Sequence, residues 1–310
     1  MNTLLTVIIP AHNPDPGRLH ETLLGLRAQT LPANLWETLL VDNASTQFPE
    51  SSWLAARAPT HFEIIRETEL GLSAARRRGF REAAGEFAVL VDDDNILEPD
   101  YLEQTLKVFE THRQVGVAGG RSTPRFEEEP AAWVREFLPL LALRDLGEGE
   151  QISSGLRGAG ATRNQYPSFA PIGAGMALRR QAWENWLAAS APGLSDRRGG
   201  ELFSGGDNDI VLCAMQAGWE VGYFPMLALT HLIPSARLEA AYLARLNRGI
   251  QKSWMHVLTR HEANPWPPLT AMGAALRKAK AWVSYRAWSS SAARIRWSGA
   301  CGQFDGRVAE

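Results

Sequence analysis

The sequence predicts an α/β protein with a mostly parallel central sheet flanked by helices and followed by a C-terminal helical tail. Three observations carry this prediction. Short apolar, β-branched runs alternate with helical stretches of about 10 to 15 residues from Leu4 onward, the pattern of right-handed βαβ units. Phe87 to Val91 is apolar throughout, as a strand buried on both faces must be, and it ends abruptly in Asp92, Asp93 and Asp94. Beyond Pro234 the strand pattern stops and helical spacing takes over.

In order, Leu4 to Pro10 reads as a first buried strand, closed by Ala11-His12-Asn13-Pro14. Arg18 to Gln29 is a helix with Leu19, Leu23 and Leu26 on one side. Glu37 to Val41 is a second strand, ending in Asp42-Asn43, and Phe62 to Arg66 a third. Leu72 to Ala84 is a helix dense in arginine, and the acidic strand follows. Tyr101 to His112 is a helix and Val115 to Ala118 a strand, after which regularity is lost from Gly119 to Pro171. That stretch, with an apolar helical segment from Trp133 to Leu143, is expected to form loops over the active face. Gly173 to Leu178 is a strand and Gln181 to Ala189 a helix. After a glycine-rich loop (Gly199, Gly200, Gly205, Gly206), Asp207-Asn208-Asp209 opens a helix through Ala217. Glu220 to Phe224 and Leu227 to His231 are the last strands, and the tail is two helices, Leu238 to His261 and Leu269 to Trp297.

With 310 residues, 45% of them hydrophobic, the chain can bury one large core and a smaller appendage, here a catalytic domain at 1–234 and a tail at 235–310. No signal-peptide pattern or long uncharged apolar stretch is present, so a cytoplasmic protein without a membrane span is expected. Cys213 and Cys301 show no metal-ligand spacing; one is expected in the core and one in the tail. The net charge of −2 hides an asymmetry. Residues 234–310 hold 12 Lys/Arg and 4 Asp/Glu, while the remainder is acidic. Five of the eleven Trp lie in the same tail, and basic residues interleaved with Trp suit an anionic membrane surface, so a peripheral location at the inner face of the membrane fits. No base-reading module is present and no nucleic-acid partner is expected.

Three adjacent carboxylates repel one another. They are tolerable in a solvated turn, or where a hard divalent cation neutralises them through oxygen ligands, and such a cation can hold a diphosphate. Pro10 to Asn13 and Asp42-Asn43 fall at the carboxyl ends of the first two strands, where open α/β sheets bind ligands, although an Asx-turn closing each strand explains the same residue types.

Five stretches in order resemble the inverting nucleotide-sugar glycosyltransferases of family 2, which have the GT-A fold. They are Val7-Ile-Ile-Pro-Ala-His-Asn13, Val41-Asp-Asn-Ala-Ser-Thr46, Gly71-Leu-Ser-Ala-Ala-Arg76, Asp92-Asp93-Asp94, and Gly206-Asp-Asn-Asp-Ile210 with His231 downstream. The resemblance covers residues 4 to 234 or so. It implies that Pro10, Ala11, His12, Asn13, Asp42 and Asn43 hold uracil and ribose, that Arg76 neutralises phosphate charge, and that Asp92 and Asp93 contact the sugar nucleotide. It also implies that Asp94, with His231, ligates Mn2+ or Mg2+ at the diphosphate, and that Asp207 is the general base. Two departures stand out: Gly206 where the family has Glu, and Arg77 where it usually has Asn. Arg77, Arg78 and Arg81 read as a solvated face, and Asp209 as a helix N-terminal residue.

The expected function is therefore inverting transfer of a sugar from a nucleotide-diphosphate donor, a UDP-sugar, to a hydroxyl of a glycan or lipid-linked acceptor in cell-surface polysaccharide synthesis. Two alternatives remain: an inactive sugar-nucleotide or glycan-binding protein, which Gly206 favours, and a nucleotidyltransferase, whose glycine-rich signature after the first strand is missing from Ala11-His12-Asn13-Pro14. Trp282, Tyr285, Trp288 and Ile295 are expected along one side of the last helix, ringed by Lys278, Lys280, Arg286, Arg294 and Arg296, either as a membrane-facing side or as a side packed on the catalytic domain.

Overall fold

The computed structural model describes residues 3–153, 166–189 and 205–308. Gly199 and Gly200 of the glycine-rich loop, and 154–165 of the irregular stretch, lie outside the described residues. The first half runs β1 (Leu5–Ala11), α1 (Pro16–Arg27), β2 (Trp36–Asn43), α2 (Ser51–Ala55), β3 (Phe62–Glu67), α3 (Leu72–Glu82) and β4 (Phe87–Leu90). It continues with β5 (Asn95–Leu97), α4 (Tyr101–Thr111), β6 (Val115–Gly119), β7 (Ser122–Phe126), a 3-10 segment at Ala132–Leu141, and β8 (Gln151–Ser153). The second half runs β9 (Ala177–Arg179), α5 (Arg180–Ala189), α6 (Gly206–Gln216), β10 (Glu220–Tyr223), β11 (Leu229–Ile233), a 3-10 turn at Ser235–Leu238, α7 (Ala240–Arg260), α8 (Ala271–Ser284) and α9 (Ser291–Asp305).

The main sheet has the order β3-β2-β1-β4-β9-β6-β10-β8. Strands β3, β2, β1 and β4 are parallel, β9 is antiparallel to both β4 and β6, β10 is parallel to β6, and β8 closes the edge antiparallel. Both faces are covered, and the strands show it with a period of two. On β1, Leu5, Val7 and Ile9 enter the core with Leu19, Leu23 and Leu102. Ile8 enters the opposite core, with Phe80, Trp183, Trp186 and Ile210. The first helix starts as its sequence demands, with Asp15 accepting from the Arg18 N–H at 2.9 Å and Pro16 in the first turn.

Three strands were not legible: β5, β7 and β8 are short, and β5 and β7 pair only with β11 in a second sheet of order β5-β11-β7. The strand expected over Gly173 to Leu178 is shorter, because Gly173 and Gly175 stand in a turn and Gly175 has φ +71°.

The tail departs from expectation. The helix expected from Leu269 to Trp297 is broken: α8 ends at Ser284, Arg286 turns left-handed at φ +50°, and Ser290 caps α9 by accepting from the Ala293 N–H at 3.2 Å. The serine run Ser289 to Ser291 supplies that new start. Consequently Trp282, Tyr285, Trp288 and Ile295 do not share one helical side. Ile295 is fully buried with Val134, Phe137 and Leu141, while Trp282 packs edge-on against Trp297 at 4.7 Å between ring centres. Helices α7 and α9 lie close because Gly299 and Gly302 present no Cβ to Asn247 and to the Arg248 carbonyl. Asn247 Nδ2 donates to the Ile295 carbonyl at 3.0 Å, and Ser298 Oγ to that of Ala244 at 2.8 Å. Both cysteines are buried free thiols. Among the described residues no helix is long and apolar enough to cross a membrane.

Candidate active site

One pocket opens over the carboxyl ends of β1, β2 and β4, and every site residue expected from sequence lines it except Asp42. Parallel strands that finish side by side make this meeting point: Ala11 pairs with Asp42, and Ile8 with Leu90 just before the acidic turn.

At the β1 end the backbone turns sharply, with Asn13 at φ +48°. Asn13 Oδ1 accepts from the backbone N–H groups of Thr46 and Gln47 at 2.9 and 2.8 Å, and its own N–H donates to Ser45 Oγ at 2.9 Å. His12 Nδ1 donates to the Asn43 carbonyl at 2.7 Å, and Asn43 Oδ1 accepts from the Gly71 N–H at 2.8 Å. Asp42 is buried beside the pocket, held by Arg66 and by the Ser45 N–H. These side chains bind the two strand ends into one wall.

The acidic residues occupy the turn between β4 and β5. Asn95 closes it, its N–H donating to the Asp92 carbonyl at 3.1 Å and its Nδ2 to Asp94 Oδ1 at 3.1 Å. Because β5 pairs antiparallel with β11 in the register Asn95 to His231, the imidazole is brought to Asp94, with Nε2 3.2 Å from Oδ1. Arg237, from the 3-10 turn that follows β11, places NH2 3.0 Å from Asp94 Oδ2. Burial alone would raise the Asp94 carboxyl, but the His231 hydrogen bond and the charges of His231 and Arg237 bring it down to about 2. Asp93 goes the other way, pushed up to about 7 by burial and by the negative charges of Asp94 and Asp92.

This donor set fits a hard divalent cation. Three consecutive carboxylates line the pocket close enough for Asp92 and Asp94 to raise Asp93, and the buried Nδ1 of His231 has no hydrogen-bond partner. Among the described residues the cluster whose ligand atoms all lie within 4.8 Å of one another is a different one: Asp209, Cys213 and His261. Its Asp and His are hydrogen-bonded to each other and to further side chains. Asp209 Oδ2 accepts from Trp186 Nε1 at 2.7 Å, Oδ1 lies 2.8 Å from His261 Nε2, and His261 Nδ1 lies 2.9 Å from Gln216 Oε1. Asp209 is thus a buried tie between α6, α5 and α7, a role that its position in the first helical turn did not announce.

Asp207, two residues earlier on α6, faces the pocket. Its Oδ2 accepts from the Gly173 N–H at 3.0 Å, and its Oδ1 lies 3.4 Å from Arg76 NH1. Burial raises the Asp207 carboxyl, but the Arg76 guanidinium and the backbone N–H groups of Asp207 and Gly173 outweigh it, holding the group below the usual carboxylate range. Gly173 is required there, since a Cβ would run into Arg76 NH2 and press on the Asp207 carboxylate. Arg76 is only 2% exposed, whereas Arg77 lies over the Trp186 ring at 5.3 Å and Arg81 is exposed. Arg77 is therefore packed on the core rather than solvated.

Among the pocket residues that sequence reasoning missed, four come from helices and turns outside the quoted motifs. Arg18 extends from α1, Arg237 from the turn after β11, and Tyr242 and Leu246 from the first turns of α7. The one available signal was Arg237, a lone cation six residues after His231.

Residues 6–186 match Glycosyl transferase family 2. The chain belongs to that family. Its fold is the GT-A fold: the S. aureus structure TarS 1-349 superimposes with a TM-score of 0.52 at 13% identity, over 98% of this chain and 90% of that one. GalNAc-T7, crystallised with UDP, GalNAc and Mn2+, gives 0.56 at 15% identity, over 83% of this chain and 48% of that one. Similar curated family members include the putative glycosyltransferase EpsH of Bacillus subtilis, 29% identical over 33% of this chain and 29% of its own length. The succinoglycan biosynthesis protein ExoW of Rhizobium meliloti is 33% identical over 32% of this chain and 31% of its own. The uncharacterized protein y4gI of Sinorhizobium fredii is 35% identical over 35% of this chain, and the match spans only 12% of that protein. Family 2 membership replaces the nucleotidyltransferase alternative.

Proposed function

We propose that this family 2 protein transfers a sugar from a nucleotide-diphosphate donor, a UDP-sugar, to a hydroxyl of a glycan or lipid-linked acceptor, with inversion, in cell-surface polysaccharide synthesis. The observation that carries this proposal is the convergence in one pocket of two strand-end walls, an acidic turn with a histidine, and a separately held carboxylate. The wall formed by Pro10 to Asn13 and Asn43 receives the base and ribose. Asp92 and Asp93 face the sugar nucleotide. Asp94 and His231 would hold Mn2+ or Mg2+, which supplies a Lewis acid for the charge that grows on the departing diphosphate.

Asp207 takes the acceptor proton as the hydroxyl oxygen bonds to C1. The bond from C1 to the diphosphate oxygen breaks, and the nucleotide diphosphate leaves with the electron pair. Arg76 and the Gly173 N–H keep Asp207 ionised at neutral pH, so the base is ready, at some cost in basicity. They also orient its carboxylate without the Glu that the family carries before it. Arg237 adds a cation for the diphosphate from outside the matched family region.

A thermal-shift panel of nucleotide-sugars with and without Mn2+ tests the proposal, because a ligand that binds the native state stabilises it by RT ln(1 + [L]/Kd). One UDP-sugar should raise Tm only when Mn2+ or Mg2+ is present. No shift with any nucleotide diphosphate contradicts it, and a shift without turnover on any acceptor assigns the chain to the inactive, binding class.

A further inference from the structure

The side of α8 that faces away from α9 is apolar and bare. Met272, Leu276 and Val283 fall in one narrow stripe at about 100° per residue, and they are 74%, 68% and 63% exposed. Trp288, in the turn before α9, is 54% exposed. Contiguous bare apolar surface of this kind marks an interaction site.

Around the stripe the charge has one sign. Between Asn264 and Phe304 the sequence holds six Lys/Arg and no Asp/Glu. Two are engaged, Lys278 with Asp305 at 2.6 Å and Arg296 with Glu136. Arg277, Lys280, Arg286 and Arg294 are exposed, and among the described residues none of them forms an ion pair. Lys280 and Arg277 flank the stripe on one side of the helix, while Arg286 and Arg294 bracket Trp288.

We propose that this surface docks on an anionic phospholipid bilayer. Met272, Leu276, Val283 and Trp288 enter the boundary between headgroups and acyl chains, and the four unpaired cations meet lipid phosphates. A second copy of this chain fits poorly, because a two-fold contact would bring this patch onto itself and set like charges against like with no carboxylate to answer them. The helix lies in the plane of the interface, being too short to span it. Helix α9, which packs beside α8, reaches the pocket wall: Arg296 pairs with Glu136 on the 3-10 segment whose Leu140 and Leu141 line it. Docking rests on this surface alone, independent of the reaction assigned to the pocket; a lipid-linked acceptor would be its natural companion.

Co-sedimentation of the full chain with vesicles tests the proposal. Wild type should pellet with phosphatidylcholine vesicles containing phosphatidylglycerol, not with phosphatidylcholine alone, and high salt should release it. The pair Leu276→Glu and Val283→Glu should abolish pelleting, and Lys280→Glu with Arg286→Glu should weaken it by roughly tenfold or more. All four positions are exposed, so an unchanged Tm checks that the fold survives. No pelleting of wild type, pelleting unaffected by the Glu pair, or a concentration-dependent dimer that the Glu pair abolishes each overturns the proposal. Nucleotide binding measured in the same variants keeps this outcome separate from any failure at the pocket.

Discussion

Asp209 Oδ1 lies 2.8 Å from His261 Nε2, a buried contact that joins the helix bearing Asp207 to the end of α7. Both side chains are almost wholly buried, at 1% and 4% exposure. Arg260 of α7 adds a charged contact to the same carboxylate, its Nε 3.8 Å from Asp209 Oδ1, so α6 and α7 are linked through charge as well as packing. His261→Ala should leave Asp209, among the described residues, with only Trp186 Nε1 and, at 3.8 Å, Arg260 Nε, and cost about 1–3 kcal/mol, read as a drop in Tm. An unchanged Tm would show that Trp186 and Arg260 satisfy Asp209 without the imidazole.

Gly173→Ala tests the support of the base. The added methyl has no room beside Arg76 and Asp207, so turnover should fall by at least tenfold, with a loss of stability of about 1–3 kcal/mol from the displaced Arg76. Turnover equal to wild type would mean that the Arg76 and Gly173 contacts do not set the Asp207 geometry.

The tail also contains a pH-sensitive junction. Burial raises the Asp305 carboxyl, but hydrogen bonds from Lys278 and Arg248 and the charges of both outweigh it and leave the group depressed. A depressed folded value means that the stabilisation is complete above the unfolded value and is lost as pH falls through the folded one. Asp305→Asn should thus lower Tm at neutral pH, and its difference from wild type should shrink as pH drops below the ordinary carboxylate range. A difference constant down to strongly acidic pH contradicts this.

The β1, β2 and β4 strands and the helices between them were legible because both faces of each strand are buried, leaving long apolar runs that nothing else explains. Their ends carry eight of the twelve expected side chains, Pro10 to Asn13, Asn43 and Asp92 to Asp94, into one pocket. What was not legible was long-range. The three-residue strand β5 carries too little pattern to read, yet its pairing with β11 is what brings His231 to Asp94. Asp209 sits in a first helical turn, where a carboxylate is ordinary, and only the fold reveals His261 beside it. The break between α8 and α9 hides in a serine run whose capping power depends on how the chain turns at Arg286.

At the acidic turn, Asp94→Ala removes a carboxylate that both His231 and Arg237 address. Calorimetric titration of UDP with Mn2+ should show a large loss of affinity in this variant, and Arg237→Ala a smaller one. Metal-independent UDP binding that survives Asp94→Ala would remove the acidic turn from the donor site.

The central claim is that Asp207 is the base. Asp207→Asn keeps the size and much of the hydrogen bonding but loses the basicity, so kcat should fall by roughly 10²–10⁴-fold while affinity for UDP with metal stays near wild type. Asp209→Asn serves as the comparison: its side chain is buried among Trp186 and His261, so its effect should fall on Tm rather than on the chemical step. Turnover of Asp207→Asn, measured with the donor found by thermal shift, is the decisive number. A fall within that range supports the account, and turnover equal to wild type contradicts it.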